Sequence, residues 1–147
     1  MRALVQRVSE ASVTVGGSTI GQIGRGLLVF LGIRQNDTEA LAERLARKVI
    51  QLRIFPDEKG KMNRNLADTS GELLVVSQFT LYGDTRKGNR PSYSEAAKPE
   101  LAEPLYDYFV KFCREEGVRV STGLFQAHME VRLVNQGPVT LMCSSEL

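Results

Sequence analysis

The chain has 147 residues, 42% hydrophobic and 24% charged, the composition of a folded domain with its own core and not of a disordered chain. Nineteen Lys and Arg against seventeen Asp and Glu leave a formal charge of +2, which excludes a polybasic mode of action but not a local basic face. Cys113, Cys143 and His128 are the only cysteines and the only histidine. They form no CxxC, HExxH or Cys/His cluster, so neither a metal site nor a cofactor is expected.

The first third reads as strands. Residues 2–8 and 12–15 are rich in Val and Leu, and Gly16-Gly17 marks a hairpin turn before residues 18–23. Leu27 to Ile33 is apolar on both faces, as suits a strand buried on both sides. The period then changes. Asn36 as N-cap with Glu39 three residues on predicts a helix over 37–52, with Leu41, Leu45, Val49 and Leu52 on one face. Arg53-Ile54-Phe55 predicts a short strand closed by the turn from Pro56 to Gly60, followed by a polar loop. Glu72 to Tyr82 predicts a second long strand, and 83–97 a long connection of the kind that often carries function. Pro99 suits the first turn of a second helix ending before Gly117, with a kink or late start at Pro104. Strands over 118–122, 124–134 and 139–144 finish the chain. The expectation is one α+β domain over residues 1–147, a mostly antiparallel, barrel-like layered sheet with two main helices.

Seven Lys and Arg against two acids fall within residues 44–64, and the loop from Asp84 adds Arg86, Lys87 and Arg90. Such runs are usually a solvated face; a docking surface for a phosphate backbone is the alternative. No stretch approaches the roughly eighteen apolar residues of a membrane span. A second charge at Arg7 interrupts any signal-type run, and the two cysteines suit free thiols in a reducing compartment. A soluble, cytoplasmic protein without membrane contact is expected.

Gly21-Gln22-Ile23-Gly24-Arg25-Gly26 has the wrong spacing and flank for a nucleotide loop and reads as a turn. Alternation over 124–134 puts Phe125, Ala127, Met129, Val131 and Leu133 on one face and His128 on the polar one, a surface histidine and not a catalytic base. Ser77-Gln78-Phe79-Thr80-Leu81-Tyr82 turns polar at a strand end, which fits either an edge of the core or hydroxyl and amide groups around a substrate. Asn135-Gln136-Gly137-Pro138 reads as a turn, with no warrant in the pattern for a cis peptide.

Those last two segments, in that order, resemble the D-aminoacyl-tRNA deacylases, also called D-tyrosyl-tRNA deacylases. The opening from Met1 to Val8, the Asn89-Arg90-Pro91-Ser92 loop and Gly123 to Met129 are similar as well. The resemblance implies a homodimer, with its site at the subunit interface, that hydrolyses the ester joining a D-amino acid, or glycine, to the 3′ end of tRNA. DNA is not an expected partner. It implies that Gly137-Pro138 is a cis peptide reaching into the partner's site, where its carbonyls exclude an L side chain. It implies that Ser77, Gln78, Phe79 and Thr80 cradle the scissile carbonyl, that Arg7 stands behind the Gly-Pro loop, and that Phe125 and Met129 flank the adenosine. Thr80 as nucleophile and a 2′-hydroxyl-assisted water both remain open, the second preferred because no base for Thr80 is in view. The rival readings are a non-catalytic dimeric RNA-binding module using the 44–64 face, and an esterase or deaminase of free metabolites.

Overall fold

The computed structural model describes residues 1–146. Its organising element is β1 (Arg2–Val15), which pairs antiparallel along one whole edge with β8 (Glu130–Ser144). Two strands therefore share its other edge end to end: β3 (Gly26–Gly32) beside residues 2–8 and β2 (Ser18–Ile23) beside residues 11–15. Gly16 and Gly17 make the expected hairpin turn, with φ of 55° and 82° that side chains disfavour. From β3 the sheet continues parallel to β6 (Glu72–Ser77), and β6 continues parallel to β7 (Arg119–Thr122). Antiparallel ladders predominate in the sheet, and these two are parallel.

The doubly apolar strands explain themselves by their period of two. Leu27, Val29, Leu31, Leu73 and Val75 face the helices, while Leu28, Leu74 and Val76 join Val8, Val13 and Ile23 in a second cluster on the opposite side. That second side closes on itself, because β2 curls round to β7: Ser121 Oγ donates to Gln22 O at 3.2 Å. The result is a nearly closed barrel with helices outside it.

Glycine makes this closure possible at two positions. A Cβ on Gly21 would stand 2.3 Å from Thr122 O, and one on Gly26 only 1.8 Å from Glu72 O. The GxxGxG segment is thus a place of close backbone approach. We expect Gly26→Ala to destabilise the fold by about 3 kcal/mol, the upper end of typical overpacking costs, in urea unfolding. A loss below about 0.5 kcal/mol would mean that β3 and β6 part without cost.

The helices pack on the first cluster. α1 (Glu39–Gln51) buries Ala42, Leu45, Ala46, Val49 and Ile50, and α3 (Pro99–Glu115) buries Leu105, Tyr106, Phe109, Val110 and Cys113. The cap of α1 is Thr38, whose Oγ1 accepts from Leu41 N–H, and not Asn36. Asp37 is drawn away from the helix: its carboxylate accepts from the Met1 ammonium at 2.9 Å and from Arg34 N–H at 2.6 Å. α3 begins at Pro99, so Pro104 does not delay it.

Several boundaries differ from the pattern. The short strand expected over 53–55 falls at Phe55–Pro56 (β4), and the polar stretch beyond it holds β5 (Met62–Arg64), paired with β4, and then α2 (Leu66–Thr69), capped reciprocally by Asn65 and Asp68. The strand from Glu72 ends at Ser77 instead of Tyr82, and the strand expected from 124 begins at Glu130. Residues 135–138 are no turn between two strands: β8 runs through them.

Candidate active site

β6 ends because its neighbour does. Ser77 is the last residue in register with β3, opposite Leu31, and Gln78 N–H then donates to Leu31 O at 2.8 Å. The chain bends into a 3-10 turn over Phe79–Tyr82, with Leu81 N–H donating to Gln78 O at 3.3 Å. Gly32 leaves room for it, since a Cβ there would be 3.0 Å from Leu81 Cβ and 3.1 Å from Gln78 O. As at any helix start, the first donors have no carbonyl before them. Among the described residues, the N–H groups of Phe79 and Thr80 are given no acceptor.

This turn forms one wall of a cleft of about 540 Å³. Ser77, Gln78 and Phe79 line it, together with Leu31, Val76, Phe125 and Met129. Thr80 sits next to the lining, exposed, its Oγ1 accepting from the Gln78 side-chain amide. Tyr106, buried in α3, donates to Val75 O at 2.7 Å and packs its ring 6.1 Å from that of Phe125. Burial raises the Tyr106 phenol well above its ordinary value, so it stays a donor at every physiological pH.

Residues 124–129 form no strand: the chain turns at 125–126, Ala127 N–H donates to Leu124 O at 3.1 Å, and Gln126 takes φ 65°. Exposure nevertheless alternates as the sequence implied, with Phe125, Ala127 and Met129 half-buried and His128 exposed, where it borders the cleft beside Met129. No sequence signal marked Gln126, because a non-glycine residue at positive φ has no composition cue. The cysteines offer no nucleophile. Burial pushes the Cys113 thiol up to about 12, and burial also raises Cys143.

A second group of residues lies elsewhere. Gln6 pairs with Thr140 and Val8 with Asn135, so Gln136 to Val139 all stand opposite the single residue Arg7. They bulge out of β8, and the Asn135 amide pins the base of the bulge by donating to Arg7 O at 3.0 Å and Val139 O at 3.1 Å. Gly137–Pro138 is a cis peptide at the exposed tip. Behind it Arg7 Nη1 donates to Ile54 O at 2.6 Å, while Arg7 Nε is buried without a partner. None of these residues lines the cleft. Val131, which does, is seven residues from Pro138 along β8, and the bulge begins between them.

The sequence profile of the D-Tyr-tRNA(Tyr) deacylases matches residues 4–144. The chain belongs to that family. D-aminoacyl-tRNA deacylases so named from Symbiobacterium thermophilum and Roseiflexus sp. are 58% and 60% identical to it, over 99% and 100% of this chain and 97% and 95% of theirs. Among solved structures, "c-Myc DNA Unwinding Element Binding Protein" superposes with a TM-score of 0.93 at 44% identity, over the whole of both chains. A "probable eukaryotic D-amino acid tRNA deacylase" does so at 0.83 over 97% of each, and at 20% identity it attests the fold alone.

For a deacylase the cleft is short of conventional machinery. Among the described residues no three His, Cys, Asp or Glu side chains are grouped to hold a metal ion, and no acidic or imidazole group bonds Thr80. What it offers is a pair of free backbone donors beside a pocket with aromatic and thioether walls. No described helix is long and apolar enough to cross a membrane.

Proposed function

We propose that this protein hydrolyses the ester of D-aminoacyl-tRNA, and of glycyl-tRNA, as a homodimer. The observation that carries the reading is the start of the 3-10 turn, where the N–H groups of Phe79 and Thr80 have no acceptor among the described residues and Phe79 lines a cleft of about 540 Å³. Family membership says which ester to place there. The terminal adenosine lies between Phe125 and Met129, with the aminoacyl carbonyl oxygen toward the two donors. Water attacks the carbonyl carbon, and the tetrahedral oxyanion is held by those N–H groups, each worth about 3–4 kcal/mol. The bond to the ribose 3′-oxygen then breaks. The 2′-hydroxyl passes the attacking water's proton to that oxygen, releasing the free amino acid and intact tRNA.

The homodimer would bring the two groups together. The Gly137–Pro138 tip lines no part of its own chain's cleft, and a second copy paired face to face would deliver it to the partner's. Its rigid backbone carbonyls then stand where the Cβ of an L-amino acid would go, while a D side chain points away and glycine has none. The exposed apolar residues Val134, Leu141 and Met142 on the outer strand support burial of this face by the partner.

Thr80 separates the two mechanisms. A threonine nucleophile requires a base, and among the described residues its hydroxyl is held by an amide that donates to it. We expect Thr80→Ala to slow D-tyrosyl-tRNA hydrolysis about tenfold, the worth of one hydrogen bond, without abolishing it. Complete loss of turnover in a folded variant that still binds tRNA would make Thr80 the nucleophile. The tRNA reading also predicts a steep fall of affinity with salt, which an esterase of free metabolites lacks.

A further inference from the structure

Beside the cleft the protein leaves two aromatic rings in water. Phe79 is 53% and Tyr93 40% exposed, and their centroids lie 5.2 Å apart at an interplanar angle of 72°. Phe79 lines the cleft, and Tyr93 comes from the connection between the 3-10 turn and α3. That connection is firmly tied. Asp84 and Ser92 exchange both backbone hydrogen bonds, at 2.7 and 2.9 Å, Gln35 N–H donates to Glu95 O at 3.2 Å, and Ala97 N–H donates to Ile33 O at 2.9 Å. Gly83 supplies the space, since a Cβ there would stand 3.0 Å from Tyr93 Cε1. Tyr93 is therefore held in place, and the exposed part of its ring has no partner in the chain.

The charge around the pair is selective. Residues 84–98 carry the acids Asp84 and Glu95, and each is taken up: Asp84 holds Arg86 at 2.6 Å and Glu95 holds Arg34 at 3.3 Å. Lys87, Arg90 and Lys98 of the same segment make no ion pair among the described residues. Preplaced aromatic rings with free cations beside them suit single-stranded nucleic acid, whose bases stack and whose phosphates need neutralising. A protein-binding surface is ordinarily depleted of lysine at its core.

The geometry points to a second RNA subsite at the cleft rim, where Phe79 and Tyr93 stack a base of the unpaired segment on the 5′ side of the esterified nucleotide while Lys87, Arg90 and Lys98 meet its phosphates. This rests on the deacylase reading, because the terminal adenosine occupies the cleft and the strand leaves past Phe79. The subsite adds affinity for the strand and plays no part in the ester chemistry itself.

The test compares two esters, D-tyrosyl-tRNA and the minimal D-tyrosyl-adenosine 3′-ester. With Tyr93→Leu, kcat/KM on the tRNA ester is expected to fall about tenfold, carried by KM, and to stay unchanged on the minimal ester. Tyr93→Phe restores the tRNA activity. The Lys87→Ala, Arg90→Ala double variant lowers the slope of log affinity against log salt by about 1.4 for tRNA. Equal loss on both esters, or loss on neither, overturns the subsite. So does a change of oligomeric state in Tyr93→Leu on gel filtration, which would assign the rings to a protein interface. If the unaltered protein hydrolyses neither ester, the deacylase reading falls first and takes the subsite with it.

Discussion

Replacing Asn135 with alanine is expected to lower the ratio of D- to L-tyrosyl-tRNA hydrolysis about 30-fold, with D-ester turnover nearly preserved. Rejecting an L substrate a thousandfold takes about 4 kcal/mol of differential transition-state binding. A carbonyl wall supplies that only if it cannot yield. The Gln136–Val139 bulge is exposed over most of its length, and the Asn135 amide ties both of its sides, to Arg7 O and to Val139 O. Each bond contributes about 1 kcal/mol, so loss of both releases about 2 kcal/mol of constraint, or roughly 30-fold in selectivity. The oxyanion donors of Phe79 and Thr80 are untouched, which is why D-ester hydrolysis continues. Competition between the two esters, followed by released amino acid, measures the ratio. An unchanged ratio would mean that the bulge does not exclude the L side chain, or that something else holds it.

Asp37→Ala is expected to cost about 3–5 kcal/mol of stability, the range for breaking a buried ion pair from one side. The Met1 ammonium is fully buried, donating to Asp37 Oδ1 at 2.9 Å and to Ser145 Oγ at 2.8 Å, with Glu146 at 3.7 Å. Removing the Asp37 carboxylate leaves that cation with Ser145 Oγ and the more distant Glu146, and also frees Arg34 N–H. Asp37→Asn, which keeps an acceptor, should lose less. Denaturant unfolding at neutral pH decides between them, and a cost below about 1 kcal/mol for alanine would show that water reaches the ammonium. Acid weakens the same cluster. Burial pushes the Glu146 carboxyl up, but the hydrogen bond from Tyr82, with Arg2, the Met1 ammonium and Arg34, outweighs it and leaves the group below its ordinary 4.5. A depressed carboxylate stabilises fully above its unfolded value, and that contribution disappears as pH falls through the lower folded value.

The sequence made the strands of the first third legible because hydrophobic period and glycine turns agree there: Gly16-Gly17 closes a hairpin, and Leu27 to Leu31 alternates between two cores. It misled where one residue departs from a period. The strand expected from 124 is not formed before Glu130, with a turn at 125–126 where Gln126 takes a positive φ, although exposure still alternates and His128 is exposed as implied. Ser77 to Tyr82 has good strand formers, yet the end of β3 at Gly32 leaves residue 78 onward without a partner strand, so the backbone coils. The Asn135–Pro138 bulge has turn chemistry, and only its long-range pairing opposite Arg7 makes it part of one strand. The proposed site is therefore read from a resemblance of motifs and not from a pattern. Backbone N–H donors and carbonyl walls leave no residue-type signature, and the chain has few of the residue types that would.

One time course tests the deacylase activity most directly. The purified protein is incubated separately with D-tyrosyl-tRNA, L-tyrosyl-tRNA and glycyl-tRNA, and release of the amino acid is followed. Rapid loss of the D and glycyl esters with the L ester spared is the expected result, joining ester hydrolysis to a wall that excludes only an L side chain. Survival of all three esters beside a working control would contradict it, leaving the family fold without the chemistry and an RNA-binding protein in its place.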